Sequence, residues 1–292
     1  MSAVATRPVA RPEVVTLEER PHRRRWSSFI LPGYYWLVML YTVVPIIVMI
    51  VYSFNKAPAQ RVTFAWQGFT TEWYRHPFEV SDLTSAMIHS LVIATGSSLI
   101  ATAIGTPMAL AMGRFRFRGK GFSEVLIFAD IAAPSVVVGA SLLGFYITLN
   151  VARGPWTILL AHVAFNVAFV VVVIRARVEG LGRSLEEAAQ DLGATPWVTF
   201  WKVTFPLIFP GILAGFLLAF ALSIDDFIIT SFVNGQYLTF PLWVFGASKV
   251  GIPPQVFVLG TFIFVVGVVI AIINVVLARQ RRERVPVPEE TV

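Results

Sequence analysis

The chain has 292 residues, of which 56% are hydrophobic and only 14% charged, with a net charge of +6. Together with a mean hydropathy of +0.73, this excludes an ordinary soluble domain and points to an integral membrane protein. The absence of cysteine excludes disulfides and thiolate metal sites, and the histidines (His22, His76, His89, His162) are scattered with no HExxH pattern to hold a metal.

Residues 1–28 form a basic tail containing "RPHRRRW". That stretch resembles the n-region of a signal peptide, but the apolar run behind it is long and has no small-x-small cleavage site, so it reads as a retained span. A helix needs roughly 20 residues to cross a bilayer. Six runs meet that length: Phe29–Phe54, Thr84–Met112, Phe122–Leu149, Trp156–Ile174, Gly211–Val233 and Gln255–Ala278. The expected fold is therefore all-α and polytopic, with the six-span region over residues 29–278 and a second tail at 279–292. Pro107, Pro134 and Gly139 are candidate bends, and Trp36, Trp156 and Trp243 candidate interface anchors. Gly211-x-x-x-Gly215 has the spacing of close helix contacts, within the chain or between subunits.

An even number of spans puts both termini on one side. Of the 23 lysines and arginines, all but Lys56, Arg61, Arg75, Arg153 and Lys249 fall in the two tails or in the segments 113–121 and 175–210. The positive-inside rule places those four regions in the cytoplasm. This asymmetry explains the net charge without nucleic-acid binding, and the Pro-, Arg- and Glu-rich tails read as disordered.

The segment 175–210 holds "SLEEAAQDLGATPWVTFWKVTFP", the least lipid-like internal stretch. Ser184 and Glu187 have capping-box spacing, with Glu186 and Glu187 in a first turn where the helix dipole favours them. Gly193 ends that helix; Thr195 as N-cap and Pro196 at the first helical position start another through Trp197, Phe200 and Val203. Pro206 and Pro210 are then expected to turn the chain back into the membrane. The result is a cytoplasmic helical hairpin with more apolar surface than it can bury, which asks for a partner.

Glu187-Ala188-Ala189, then Gly193, then Val203-x-Phe205-Pro206 resembles the EAA loop of the membrane-spanning subunits of ABC importers. The resemblance covers about Phe29 to Ala278, and "EEAAQDLGAT" and "SIDDFIITSFV" are most similar to the second permease of spermidine/putrescine-type systems. Val203 and Phe205 replace the family's Ile and Leu. Pro134-Ser135-Val136-Val137 stands where relatives often carry Pro-Glu-Val-Val, and Phe257-Val258 where they often carry Asn-Ala. The resemblance implies that Glu187, Ala188, Ala189, Gly193 and Pro206 couple the chain to a cytoplasmic ATPase. It also implies a homologous second permease, two ATP-binding-cassette ATPase subunits, an extracytoplasmic binding protein, a prokaryotic inner membrane, and polyamine cargo moved by alternating access. ATP and magnesium would belong to the partner ATPases, and this chain would be no enzyme. Its closest approach to a Walker A, "GRFRFRGKG" at 113–121, has the wrong glycine spacing, Gly121 where Ser or Thr should stand, and no preceding strand.

Asp225 and Asp226 fall near the middle of the fifth run and Asp130 in the third. An aspartate at mid-bilayer costs roughly 2.5–3.5 kcal/mol, so such residues face a pore or a partner. All three are candidate path residues. Consecutive helical positions differ by about 100°, so Asp225 and Asp226 cannot both point along one radius, and either could line the path, with Phe220 and Phe227 nearby for cation–π contact. Two rival readings are an ion-gradient transporter, which lacks the expected internal repeat, and an intramembrane serine protease using Ser141 and His162, for which no oxyanion donor can be named.

Overall fold

A computed structural model describes residues 27–57 and 65–283. Of the expected tails, 1–26 and 284–292 lie outside the described residues, while 27–28 and 279–283 belong to the first and last helices. Among the described residues the secondary structure is helical, apart from an isolated bridge between Asn55 and Phe69. The first helix, α1 (Ser27–Tyr52), is apolar from Ile30 onward and carries Pro32 and Pro45. Up to Met49 it forms a compact unit of its own, and the chain from Ile50 forms a second.

The second unit continues with a short α2 (Glu72–Arg75), the long α3 (Ser81–Arg114), α4 (Lys120–Ala132), α5 (Ser135–Thr148) and α6 (Pro155–Glu179). Then come α7 (Ser184–Asp191), α8 (Pro196–Thr199), a π turn at Phe200–Thr204, α9 (Phe205–Ile224), α10 (Ile228–Val233), α11 (Phe240–Val250) and α12 (Gln255–Glu283). Among the described residues four helices are long and apolar enough to cross a membrane: Ile30–Tyr52, α3, α6 and the unbroken run Pro196–Ile224. The bent pair α4 and α5 makes a fifth if it is one span.

Three sequence expectations change here. The run Phe122–Leu149 is two helices meeting at 105°. Ala133 is held extended before Pro134, as the proline ring demands. The run Gly211–Val233 is also interrupted, because α9 stops at Ile224. The expected hairpin ends differently as well: Pro206 does not turn the chain, since α8, the π turn and α9 form one continuous helix. A proline ring clashes with the carbonyl one turn earlier in a regular helix. The wider turn, in which the Phe205 N–H reaches back to the Phe200 carbonyl, relieves that clash.

The centre of the unit is α3, α6 and α9. Gly96 opposes Leu159, Gly105 opposes Val170 and Gly113 opposes Val178, so the numbers rise together and α3 runs parallel to α6. Gly211 meets Arg177 and Gly215 meets Ile174, so α9 runs the other way, and both glycines are used inside the chain. A Cβ at Gly105 would lie 2.7 Å from a Val170 methyl carbon, so only glycine permits this approach. Ala101, Ala109, Val170, Val171, Ile174, Ile208 and Ala219 are fully buried there. In lipid, such close contact is favoured by packing and small residues rather than by removal of apolar surface from water.

Candidate functional site

Two places in the second unit bring functional side chains together. The first is the gap between α9 and α10. Asp225 and Asp226, expected on a helix, lie at its end and just beyond it. Asp226 caps α10: its carboxylate accepts the Thr230 N–H at 2.8 Å, the Thr230 hydroxyl at 2.8 Å and the Ile229 N–H at 3.4 Å. His162 of α6 reaches the same group, with Nε2 3.3 Å from Asp226 Oδ2 and 2.9 Å from Thr230 Oγ1. Its Nδ1 bonds the Ser223 hydroxyl at 2.6 Å, and Ser223 in turn meets Ser97 of α3 at 3.0 Å. One buried polar chain thus ties α3, α6, α9 and α10 together, as polar groups shielded from water must do. The far end of α10 is fixed too, by the Thr157 hydroxyl donating to the Val233 carbonyl at 2.8 Å.

Asp225 is outside that chain. It is exposed and borders an open pocket of about 540 Å³ walled by Phe227, Phe240, Phe245 and Ile263. Phe227 packs on Phe245 with centroids 4.7 Å apart, and the Lys249 ammonium stands 4.5 Å over the Phe245 ring. A carboxylate beside aromatic faces suits a cation. Phe220, named from the sequence, is not in this wall and stacks on Phe216 instead. Asp130 lies on α4, shares neither the pocket nor a hydrogen bond with the pair, and is half-buried. Ser141 is exposed on α5, and both ring nitrogens of His162 are taken by Ser223, Thr230 and Asp226.

The second place is the segment 175–210. Ser184 is the first helical residue of α7 rather than its cap, and it caps nothing through its side chain. Gly193 has φ +87°, the left-handed turn that ends the helix, and Thr195 caps α8 by accepting the Val198 N–H at 3.4 Å. Glu186 accepts from Arg114 of α3 at 3.1 Å and from the Thr204 hydroxyl at 2.9 Å. Arg114 also donates to the Leu181 carbonyl at 3.0 Å, and Arg183 donates to the Arg114 carbonyl. This lashes α7 to the end of a span. Glu187 makes no side-chain hydrogen bond among the described residues and lines a cleft of about 510 Å³ with Gln190, Pro196 and Phe200. Leu192 and Trp197 are 89% and 70% exposed, an apolar surface with no cover among the described residues.

The sequence reading missed Ser97, Ser223 and Thr230, whose signal was hydroxyls on one side of otherwise apolar runs. It also missed Phe240 and Phe245, which are distant in sequence from Asp225.

A family model described as "Binding-protein-dependent transport system inner membrane component" matches residues 105–283, which include the segment 175–210 and the first place apart from Ser97. The chain belongs to that family. It is a permease subunit of an ABC importer, a transport component of a multi-pass membrane system that works with ATPase and binding-protein components. The spermidine/putrescine transport system permease protein PotC of Escherichia coli (strain K12) is 38% identical over 232 residues, covering 79% of this chain and 87% of that protein. PotC of Haemophilus influenzae is 35% identical over 236 residues, covering 80% and 91%. The putrescine transport system permease protein PotI of Escherichia coli (strain K12) is 39% identical over 227 residues, covering 75% and 80%. Among solved structures, a chain of a bacterial ABC transporter involved in the import of the acidic polysaccharide alginate aligns with a TM-score of 0.62 at 17% identity, covering 87% of this chain and 95% of that one. At that identity the likeness speaks for the fold.

Proposed function

We propose that this permease forms half of the translocation path of an importer for small polycations, putrescine or spermidine, in a prokaryotic inner membrane. The observation that carries the reading is Asp225, exposed at a helix break beside Phe227, Phe240 and Phe245. The names of the relatives agree with that chemistry, and Lys249 over Phe245 is an ammonium already seated on the same wall. Asp225 serves as the path carboxylate and Asp226 as its structural neighbour, while Asp130 takes a lesser part in the path.

In this proposal six spans over residues 29–278, with α12 as the sixth, leave both tails in the cytoplasm. The segment 175–210 docks on a partner ATPase. Glu187, Ala188, Ala189 and the exposed Leu192 and Trp197 meet the partner, Gly193 allows the sharp approach, and Pro206 marks the joint through which α7 and α8 move α9. Two ATPase subunits hydrolyse ATP with magnesium, a homologous permease supplies the other half of the path, and a binding protein delivers the cargo. Closure of the ATPases drives alternating access.

The test is ATPase activity of the assembled transporter in lipid with its binding protein. Putrescine or spermidine stimulates hydrolysis, a neutral sugar does not, and Asp225→Asn lowers the stimulation at least about tenfold, as expected for an ion contact of roughly 1.4 kcal/mol or more. Hydrolysis indifferent to both polyamines discards the cargo and retains the importer.

A further inference from the structure

We propose that the turn between α3 and α4 is a binding site for the phosphate headgroup of an anionic phospholipid. The turn, Phe115–Gly119, joins the last residue of one apolar helix, Arg114, to the first of another, Lys120. It therefore lies at a membrane–water boundary. Beside it is a cleft of about 570 Å³ lined by Gly113, Arg114, Phe115, Arg116, Lys120 and Arg183, with no carboxylate in its wall.

The cations in this wall are of two kinds. Arg114 and Arg183 are engaged with Glu186 and with backbone carbonyls, which fixes one side of the cleft. Arg116 and Lys120 in the wall, like Arg118 in the turn beside it, have no ion-pair partner among the described residues; the nearby Glu124 is taken by Arg175 at 2.9 Å. A guanidinium presents paired N–H donors that match a phosphate. Phe115 and Phe117 are 65% and 42% exposed between these cations, giving acyl chains an apolar contact next to the phosphate contact.

That combination selects the occupant. An acidic protein surface would use the cations and leave the rings in water. A free phosphate would gain little from exposed cations screened by salt. A lipid headgroup is held in the plane of the turn at high local concentration and satisfies both, as basic pockets at membrane interfaces do. The inference requires only that the chain lies in a bilayer, so it stands or falls independently of the polyamine cargo.

The experiment uses the complete transporter, purified in mild detergent and titrated with dioleoyl phosphatidylglycerol or dioleoyl phosphatidylcholine under native mass spectrometry. Each basic side chain near an anionic surface contributes roughly a fivefold preference, so the wild type retains the anionic lipid roughly a hundredfold better than the zwitterionic one. R116Q/R118Q/K120Q brings the two lipids level, and the charge-keeping R116K/R118K stays within roughly tenfold of wild type. Equal retention of both lipids by the wild type overturns the proposal, and that arm needs no variant to fold. It is overturned equally by undiminished phosphatidylglycerol binding in the triple variant, by displacement of the lipid by inorganic phosphate, or by cross-linking of Phe117→Cys to an ATPase subunit in lipid-filled samples.

Discussion

Each of the two places described above contains a pair of neighbouring acids, and each pair divides in the same way. At the helix break Asp226 is tied to Thr230 and His162 while Asp225 opens onto an aromatic pocket. On the segment 175–210 Glu186 is tied to Arg114 and Thr204 while Glu187 opens onto a cleft. One acid fixes the local backbone, and the other is exposed beside a pocket or cleft, where the proposed function gives it a partner outside the chain. The two places differ in what surrounds the tied acid. Asp226 stands among buried hydroxyls and a histidine, so losing it leaves donors with no water to turn to. Glu186 lies nearer solvent, where water can substitute.

Substitutions that remove the tied acids test this division most severely. Asp226→Leu leaves the Thr230 amide and hydroxyl and His162 without their acceptor, and should lower the stability of the purified complex by about 3–5 kcal/mol in thermal unfolding. Glu186→Leu should cost less, about 1–2 kcal/mol, because Arg114 keeps the Leu181 carbonyl and gains water. Gly193→Val forces a branched residue into left-handed backbone at a strain of about 1 kcal/mol. The spans should stay folded while ATP hydrolysis loses its link to uptake; normal uptake in this variant removes Gly193 from the coupling role. The free acids complete the series. Asp225→Asn and Glu187→Gln should each change stability by less than about 0.5 kcal/mol. The first should lose substrate stimulation, and the second should weaken co-purification of the ATPase. Destabilisation by either to the level of its neighbour would end the division into tied and free.

Much of this architecture is legible in the sequence because bilayer length and helix caps are local signals. The runs that became α3 and α6, the stop at Gly193 and the start at Thr195–Pro196 all follow from residues close in the chain. The breaks were harder. Pro134 is visible as a bend, but a 105° turn depends on what each half packs against. Ile224–Asp225 carries no proline or glycine at all; the helix ends there because Asp226 gains more from capping α10 and meeting His162 than from continuing the turn. Pro206 misled in the other direction. A proline reads as a stop, and the π turn that absorbs it leaves no mark in composition. The sequence could likewise pair Asp225 with Asp226, but only the partners at Thr230 and His162 tell the two apart, and those are tertiary.

The central claim is that the free face of α7 and α8 is where the ATPase docks. The chain has no cysteine, so a single Leu192→Cys in the assembled transporter gives an unambiguous probe of a residue that is 89% exposed in the chain alone. The account predicts that this cysteine cross-links to an ATPase subunit through a short bifunctional reagent and is shielded from a water-soluble maleimide in the full complex. A cysteine that labels freely in the assembled, ATP-hydrolysing transporter and cross-links to no ATPase would contradict it.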